Sequence, residues 1–475
     1  MTTTDHSDDT PLQSAVASYQ PDRQLITFSE RMMVAPKTVT DAAPGGFQDP
    51  RSIAYFFHEW MHYLHNVSTI HGVSAFLGLA ELWGAFRYTT DTSGIGQGRI
   101  DGATLEQLRT EELLTHRRSL RRRTQARLPE GTRPDQVDIL ALTDATPDGQ
   151  PNNDHLTLHA QYSNTAGDTA RADITIGPGE ILESVAYLLE KRFLWKMAAQ
   201  EPEPAAVLPY HALSLLAQKI APDLNEEQVL LCGLASLQST SPVDALLSHL
   251  RGSTTASSEQ LKHWRTHLGA QVSQHLRCNE PVSRAWLDRL QAMFPVPQNL
   301  GLAAQETIAF MRSNLQARLA DPFFELGIID VLCAPDALPF GERMNALMTK
   351  HGICSLMQQH PGTIFQIGRD TLHDFAVAGR NAELNEGRRI LQASFEFMLR
   401  HLSQGGAFVA TADTPPCRCP FFTSCVDPAR AQHEERCNTT PWQIVDQQDA
   451  SCFYALGIVN LRSDPPPQTA TSLVA

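Results

Sequence analysis

The chain lacks any surplus of positive charge: 38 Lys and Arg stand against 52 Asp and Glu, a formal net charge of −14. That balance argues against a broad nucleic-acid or anionic-membrane footprint, since both need Lys and Arg concentrated on one face. A secretory start is missing as well, because Met1 to Gln13 is polar and acidic and has no apolar stretch. No segment reads as a membrane span. The longest one without Asp, Glu, Lys or Arg, Trp60 to Ala80, contains His62, His65, Asn66, Ser68, Thr69 and His71 and is too polar for lipid. Nine cysteines, an odd number in 475 residues without a signal, do not suggest a disulfide framework. They point to reduced thiols plus a metal cluster, and to a cytoplasmic setting.

What is present is 42% hydrophobic residues and 19% charged ones, the profile of a globular protein with a sizeable core and length for two or three domains. Residues 1–48 lack sustained periodicity and read as a flexible N-terminal arm. Asp49-Pro50 then opens a helix, Asp as cap and Pro in the first turn, with Ile53, Phe56, Phe57, Trp60, Leu64 and Val67 at helical spacing and Gly72 as the expected stop. A second helix is expected over Val73 to Tyr88, followed by an Arg-rich segment, Arg117 to Arg127, whose simplest reading is a solvated face. Alternating residues predict a hairpin between His155 and Ile176 around a Gly-Asp turn, and Gly177-Pro178-Gly179 opens a strong helix to about Ala199. Beyond Pro202 and Pro204 successive helices are expected to about Leu402, interrupted by a polar linker, Gly252 to Gln260. The Pro-rich end, residues 463–475, reads as a disordered tail.

The first helix contains His58-Glu59-Trp60-Met61-His62. Two imidazoles one turn apart, about 6 Å along the axis, can converge on one metal ion, and the intervening Glu59 can take a proton from metal-bound water. On a wheel His58 and His62 lie opposite Ile53, Phe57, Trp60 and Leu64, outside the core stripe. His65 continues the histidine stripe but is about 10 Å from His58 along the axis, too far to share the ion. The third ligand is therefore expected to be a carboxylate from elsewhere. Glu183 is favoured: it shares a face with Glu190, with Tyr187 beside them, away from Ile181, Val185, Leu188 and Leu189. Glu180 is the reserve, although a negative side chain in a first helical turn already suits the helix dipole. Small residues Ser184 and Ala186 would let this helix approach closely.

These motifs, covering roughly residues 50 to 200, resemble the zincin metallopeptidases, in particular the branch whose third zinc ligand is a later helical glutamate. The resemblance implies zinc on His58, His62 and Glu183, water activated by Glu59, and an open fourth position for a substrate carbonyl. Two departures stand out. Tyr187 replaces an Asp often found four residues after the ligand Glu, leaving Glu190 as a substitute to orient the first histidine. The clear hairpin follows the H-E-x-x-H helix, whereas the family's peptide-holding sheet edge precedes it. For the oxyanion, Tyr187 and His159 are the candidates. A di-iron bundle would need a second Glu-x-x-His, and none occurs.

A second constellation, Cys417, Cys419, Cys425 and Cys437, with Cys452 able to replace one member, could hold a structural zinc ion, an iron–sulfur cluster, or nothing. Cys232, Cys278, Cys333 and Cys354 read as small core side chains. The expected architecture is mainly α (α+β). A zincin-like metallopeptidase domain with a small β hairpin occupies 49–250, a helical region 261–410 and a Cys-rich metal-binding module 411–462. The expected activity is hydrolysis of a peptide bond in a peptide or protein substrate by Glu-assisted attack of zinc-bound water. The rival is a non-catalytic, metal-stabilised binding or regulatory protein that contacts an acidic partner or nucleic acid through its Arg-rich segment.

Overall fold

Two short strands open the described chain, β1 (Ala17–Gln20) and β2 (Leu25–Phe28). Two helices follow end to end, α1 (Pro50–Ser68) and α2 (Ile70–Arg87). Three strands, β3 (Val137–Thr143), β4 (Leu156–Ser163) and β5 (Thr169–Ile176), lead into α3 (Pro178–Ala198). Then come α4 (Ala212–Ile220), α5 (Glu226–Ser236), α6 (Pro242–Thr254), α7 (Ser258–Lys262), α8 (Trp264–Met293), α9 (Asn299–Ala320), α10 (Phe324–Leu332) and α11 (Phe340–His351). Strands β6 (Ser355–Gln359) and β7 (Asp370–His373) precede α12 (Ala382–Arg400). Three short helices finish the order, α13 (Pro428–Gln432), α14 (Glu434–Thr439) and α15 (Phe453–Val459). The computed structural model describes residues 16–29, 32, 49–98, 128, 132–143, 155–163, 169–294, 299–335, 339–359, 370–373, 382–403, 407–422, 425, 428–446 and 452–462. The Arg-rich segment, the Gly-Asp turn and the C-terminal tail lie outside these residues. The protein is mainly helical, and among the described residues no helix is long and apolar enough to cross a membrane.

Helix α1 begins where its sequence says it should. The Asp49 carboxylate accepts the Ser52 N–H at 3.0 Å and Pro50 fills the first turn, where no donor is needed. Its apolar stripe is sealed: Phe57, Trp60 and Leu64 are at most 1% exposed. Each such side chain contributes about 1.5–3 kcal/mol of burial. Phe57 stacks on Phe193 of α3 with ring centroids 4.4 Å apart, and Trp60 Nε1–H donates to the Gly352 carbonyl at 3.0 Å. The helix stops at Thr69, not at Gly72. Thr69 Oγ1–H donates to the His65 carbonyl at 2.7 Å, and the same oxygen accepts the Gly72 N–H at 3.0 Å to start α2. Gly72 serves close approach at this corner, because a Cβ there would stand 2.4 Å from the Asn66 carbonyl oxygen.

The expected hairpin β4–β5 is present, and β3 adds to it as a third antiparallel strand with a register irregularity between Ile139 and Ala141. A second sheet has the order β1-β2-β6-β7, with β2 parallel to β6 across more than three hundred residues. Residues 17–28, read from sequence as part of a flexible arm, are thus built into this sheet. Four-residue strands carry too little alternation to be seen locally, and their partner is supplied from far along the chain.

The division at 250–261 does not mark a gap. Helix α6 runs on to Thr254, and α7 starts at Ser258, capped by the Ser257 hydroxyl accepting the Gln260 N–H at 3.2 Å. Helix α9 of the later region packs directly on α1, and α8 packs on α2. One hydrophobic cluster runs from Ile26 to Leu461, so the helical region and the H-E-x-x-H helix share a core.

Candidate metal centre

Helix α3 brings the acidic face to α1. Its start is set by Pro178 in the first turn and by Glu180, whose carboxylate accepts the Gly177 N–H at 2.8 Å. Glu180, the reserve ligand, is therefore a capping residue, as its first-turn position suggested. The fully buried Ser184 ties α3 to the next loop: its hydroxyl donates to the Pro209 carbonyl at 2.8 Å and accepts the Leu213 N–H at 3.2 Å.

Glu183 meets the two histidines. His58 Nε2 and His62 Nε2 are 3.1 Å apart, and Glu183 Oε2 lies 3.4 Å from the first and 3.3 Å from the second. Among the described residues this is the group of three candidate ligands that converges within 4.8 Å. A regular tetrahedron with edges of this length has its centre about 1.9–2.1 Å from each corner, which matches zinc bonded to imidazole nitrogen and carboxylate oxygen. The donor set, two imidazoles and one carboxylate with a fourth corner left over, suits zinc equally well.

The other ring nitrogen of His58 is also engaged, Nδ1 lying 2.9 Å from Glu190 Oε2. With Nδ1–H donating to Glu190, Nε2 carries the lone pair that a metal needs. Burial opposes charge on His58, but hydrogen bonds with Glu183 and Glu190 and the charges of Glu190 and Glu59 outweigh it, so its pKa stands well above the ordinary 6.5. Burial likewise pushes Glu183 up, yet the charge of His62 and hydrogen bonds with both histidines bring it far below the usual carboxylate range. Three groups that share protons this tightly form a site that a divalent cation can enter by displacing them. Glu59 is buried, and burial raises its pKa against the opposing charges of His58 and His62.

Two rings that sequence reasoning missed border the centre. Tyr19 of β1 stacks on His62, with centroids 6.5 Å apart and planes 9° from parallel, and its hydroxyl accepts Asn66 Nδ2–H at 3.0 Å. Tyr210, in the loop held by Ser184, stands edge-on to His58 at 6.0 Å. Neither has a local sequence signal, because each depends on a segment folding back onto α1. Tyr187 packs against Tyr210 at 5.6 Å and His211 at 5.0 Å, and its hydroxyl is pushed up to about 12 by burial and the charges of Glu190, Glu201 and Glu226. His159 is not brought to the centre. Half-buried on the three-stranded sheet, it spends Nδ1 on Asp173 at 2.7 Å and Nε2 on Thr143 at 2.8 Å, so neither nitrogen remains for an oxyanion.

None of the nine cysteines is in a disulfide. Cys417, Cys419 and Cys437 are drawn together by backbone bonds, the N–H of Cys417 donating to Thr439 O at 2.7 Å and that of Cys419 to Cys437 O at 2.8 Å. Their sulfurs do not converge as tightly as the histidine–glutamate atoms do. Comparison of the chain with protein-family models, with curated proteins and with solved structures found no match.

Proposed function

We propose that the protein is a zinc-dependent metallopeptidase. The observation that carries this reading is the spacing of His58 Nε2, His62 Nε2 and Glu183 Oε2, three corners of a zinc-sized tetrahedron with Glu59 on the same helix. A zinc ion bound there supplies Lewis acidity that polarises a carbonyl and acidifies water. The chain's own groups do the rest. Glu190 holds the His58 ring in the tautomer that presents Nε2. Glu59, made more basic by burial, accepts a proton from the attacking water and returns it to the leaving amine. Tyr210 and Tyr187 are the phenols available to a developing oxyanion, Tyr210 in ring contact with His58. The substrate is a peptide or protein segment in extended form. Strand β1 supports this, for it occupies the end position of its sheet and carries Tyr19 against His62, so an added strand would run past the centre.

Metal analysis of the wild type beside His58→Ala and Glu59→Gln, followed by digestion of a peptide library, tests the reading. The expected result is a zinc equivalent lost in His58→Ala, and a Glu59→Gln protein that keeps its zinc but is slowed about 10²- to 10⁴-fold. Zinc-loaded wild type that cleaves no peptide under any condition sinks the proposal and leaves a metal-stabilised binding protein.

A further inference from the structure

The last described stretch of the chain, from Cys417 onward, is made of short pieces that lean on the main core through Phe421, Trp442, Tyr454, Ile458 and Leu461. Helices α13, α14 and α15 are five, six and seven residues long. Helices of that length do not stand alone in water. Beneath them is a satellite cluster of only four buried residues, Phe422, Cys437, Ile444 and Ala455, against which Cys419 and Cys452 pack. Three of its six members are cysteines.

The backbone delivers a fourth. Phe422 N–H donates to the Cys419 carbonyl at 3.0 Å and Cys425 N–H to the Phe421 carbonyl at 2.7 Å, which ties Cys425 to the stretch that carries Cys419. Arg430 then donates to the Cys425 carbonyl at 3.2 Å. Cys419 N–H on Cys437 O, at 2.8 Å, joins that turn to α14, while Cys452 caps α15 with Sγ accepting the Ala455 N–H at 3.4 Å. Burial raises the Cys419 thiol, and Cys452, Cys437 and Cys425, in that order, raise it further. Cys452, Cys437 and Cys425 thus lie within electrostatic reach of Cys419. Cys417 is absent from the satellite cluster, and its electrostatic neighbours are Arg400 and Glu396 at the end of α12. Two cations stand at the satellite cluster, Arg418 and Arg430 over the Phe422 ring at 4.7 and 4.5 Å.

We infer that Cys419, Cys425, Cys437 and Cys452, and not Cys417, form a tetrathiolate metal centre that fastens this segment together. Its occupant is a soft, thiolate-seeking metal, either a zinc ion or the iron of an iron–sulfur cluster, and the chemistry of the ligands is the same for both. The ligands come from a turn, a loop, a helix and a helix cap, so one metal ties four separate pieces of the segment to one another. Binding draws the four sulfurs closer than they stand, since among the described residues the group of three or more candidate ligands that converges is His58, His62 and Glu183. The neighbouring guanidinium groups offset the negative charge that four thiolates leave on the site.

The test uses the full chain, purified anaerobically without chelator, with zinc, iron, acid-labile sulfide and visible absorbance measured. His58→Ala removes the first centre from the count, so failure here and failure of the peptidase reading give different results. The expected outcome is a metal equivalent that survives His58→Ala and Cys417→Ser and is lost in Cys452→Ser. Zinc without colour identifies an ion, whereas iron with sulfide and visible absorbance identifies a cluster; either supports the centre. Should Cys452→Ser fail to fold, alkylation of the wild type decides: Cys419, Cys425, Cys437 and Cys452 should resist until the metal is stripped, then react together. A metal content that vanishes entirely in His58→Ala, or a thiolate metal lost in Cys417→Ser but kept in Cys452→Ser, overturns the assignment.

Discussion

Helix α1 sends three histidines along one stripe, and they end in two unlike clusters. His58 and His62 meet Glu183, whose side chain is 31% exposed. His65, one turn on, has Nε2 3.4 Å from Glu325 Oε1, and both side chains are fully buried. There the balancing cation belongs to the chain: Arg318 donates to Glu325 at 2.6 and 3.3 Å, and also to Ser68 O, Ser68 Oγ and the Pro322 carbonyl at 2.7–2.8 Å. No arginine closes on Glu183 in this way among the described contacts; imidazoles surround it, and they are neutral when they act as ligands. The same residue types therefore make a sealed structural pair where the protein supplies the positive charge, and a candidate metal site where it leaves that charge to be supplied.

The contrast can be broken from either side. Arg318→Met strands Glu325 in the core, with an expected loss of about 3–5 kcal/mol in a thermal or denaturant melt and no change in zinc content. Loss of zinc with it would show that the two clusters are not independent. Acid should act in the same direction. Burial pushes Glu325 up, but Arg318 and His65 hold it at about 2 against an ordinary 4.5, so its stabilisation is complete above about 4.5 and lost as pH falls toward about 2. Burial also depresses His65, which adds to acid lability below its ordinary 6.5. An acid melt of Arg318→Met should be flatter across that window than the wild type's.

Smaller effects are expected at the open centre. At a zinc concentration near 100 times the dissociation constant, chelation should remove about 2.7 kcal/mol, and the drop should shrink in His58→Ala. Glu190→Gln, which weakens the grip on His58 Nδ1, should lower zinc affinity about 10- to 100-fold in a chelator competition. Unchanged affinity would mean that the ring is oriented by packing alone. Smallest is Asp49→Ala, about 1 kcal/mol from the lost cap of the helix that carries both clusters, with zinc affinity unaltered.

Much of α1 and α3 was legible because their signals are local. Asp49-Pro50 and Gly177-Pro178 mark their starts, and wheel geometry places His58 with His62 and Glu183 with Glu190. The choice for Glu180 between a first-turn partner of the helix dipole and a ligand needed the position of its carboxylate, which caps the Gly177 N–H. By contrast, β1 and β2 were hidden, since strands of four residues gain their meaning from β6. His159 was tempting on sequence because a strand's exposed face cannot be told from a cleft without its neighbours.

Taken alone, the polypeptide determined which turns become helices and which side chains share a face, because capping and a 3.6-residue period act over a few residues. Only the folded chain decided which faces meet: that Glu190 reaches His58, that Tyr19 and Tyr210 flank the histidines, and that Arg318 neutralises one carboxylate and not another. Those contacts join residues up to hundreds of positions apart, and their energies depend on burial and distance, which exist only once a common core has formed.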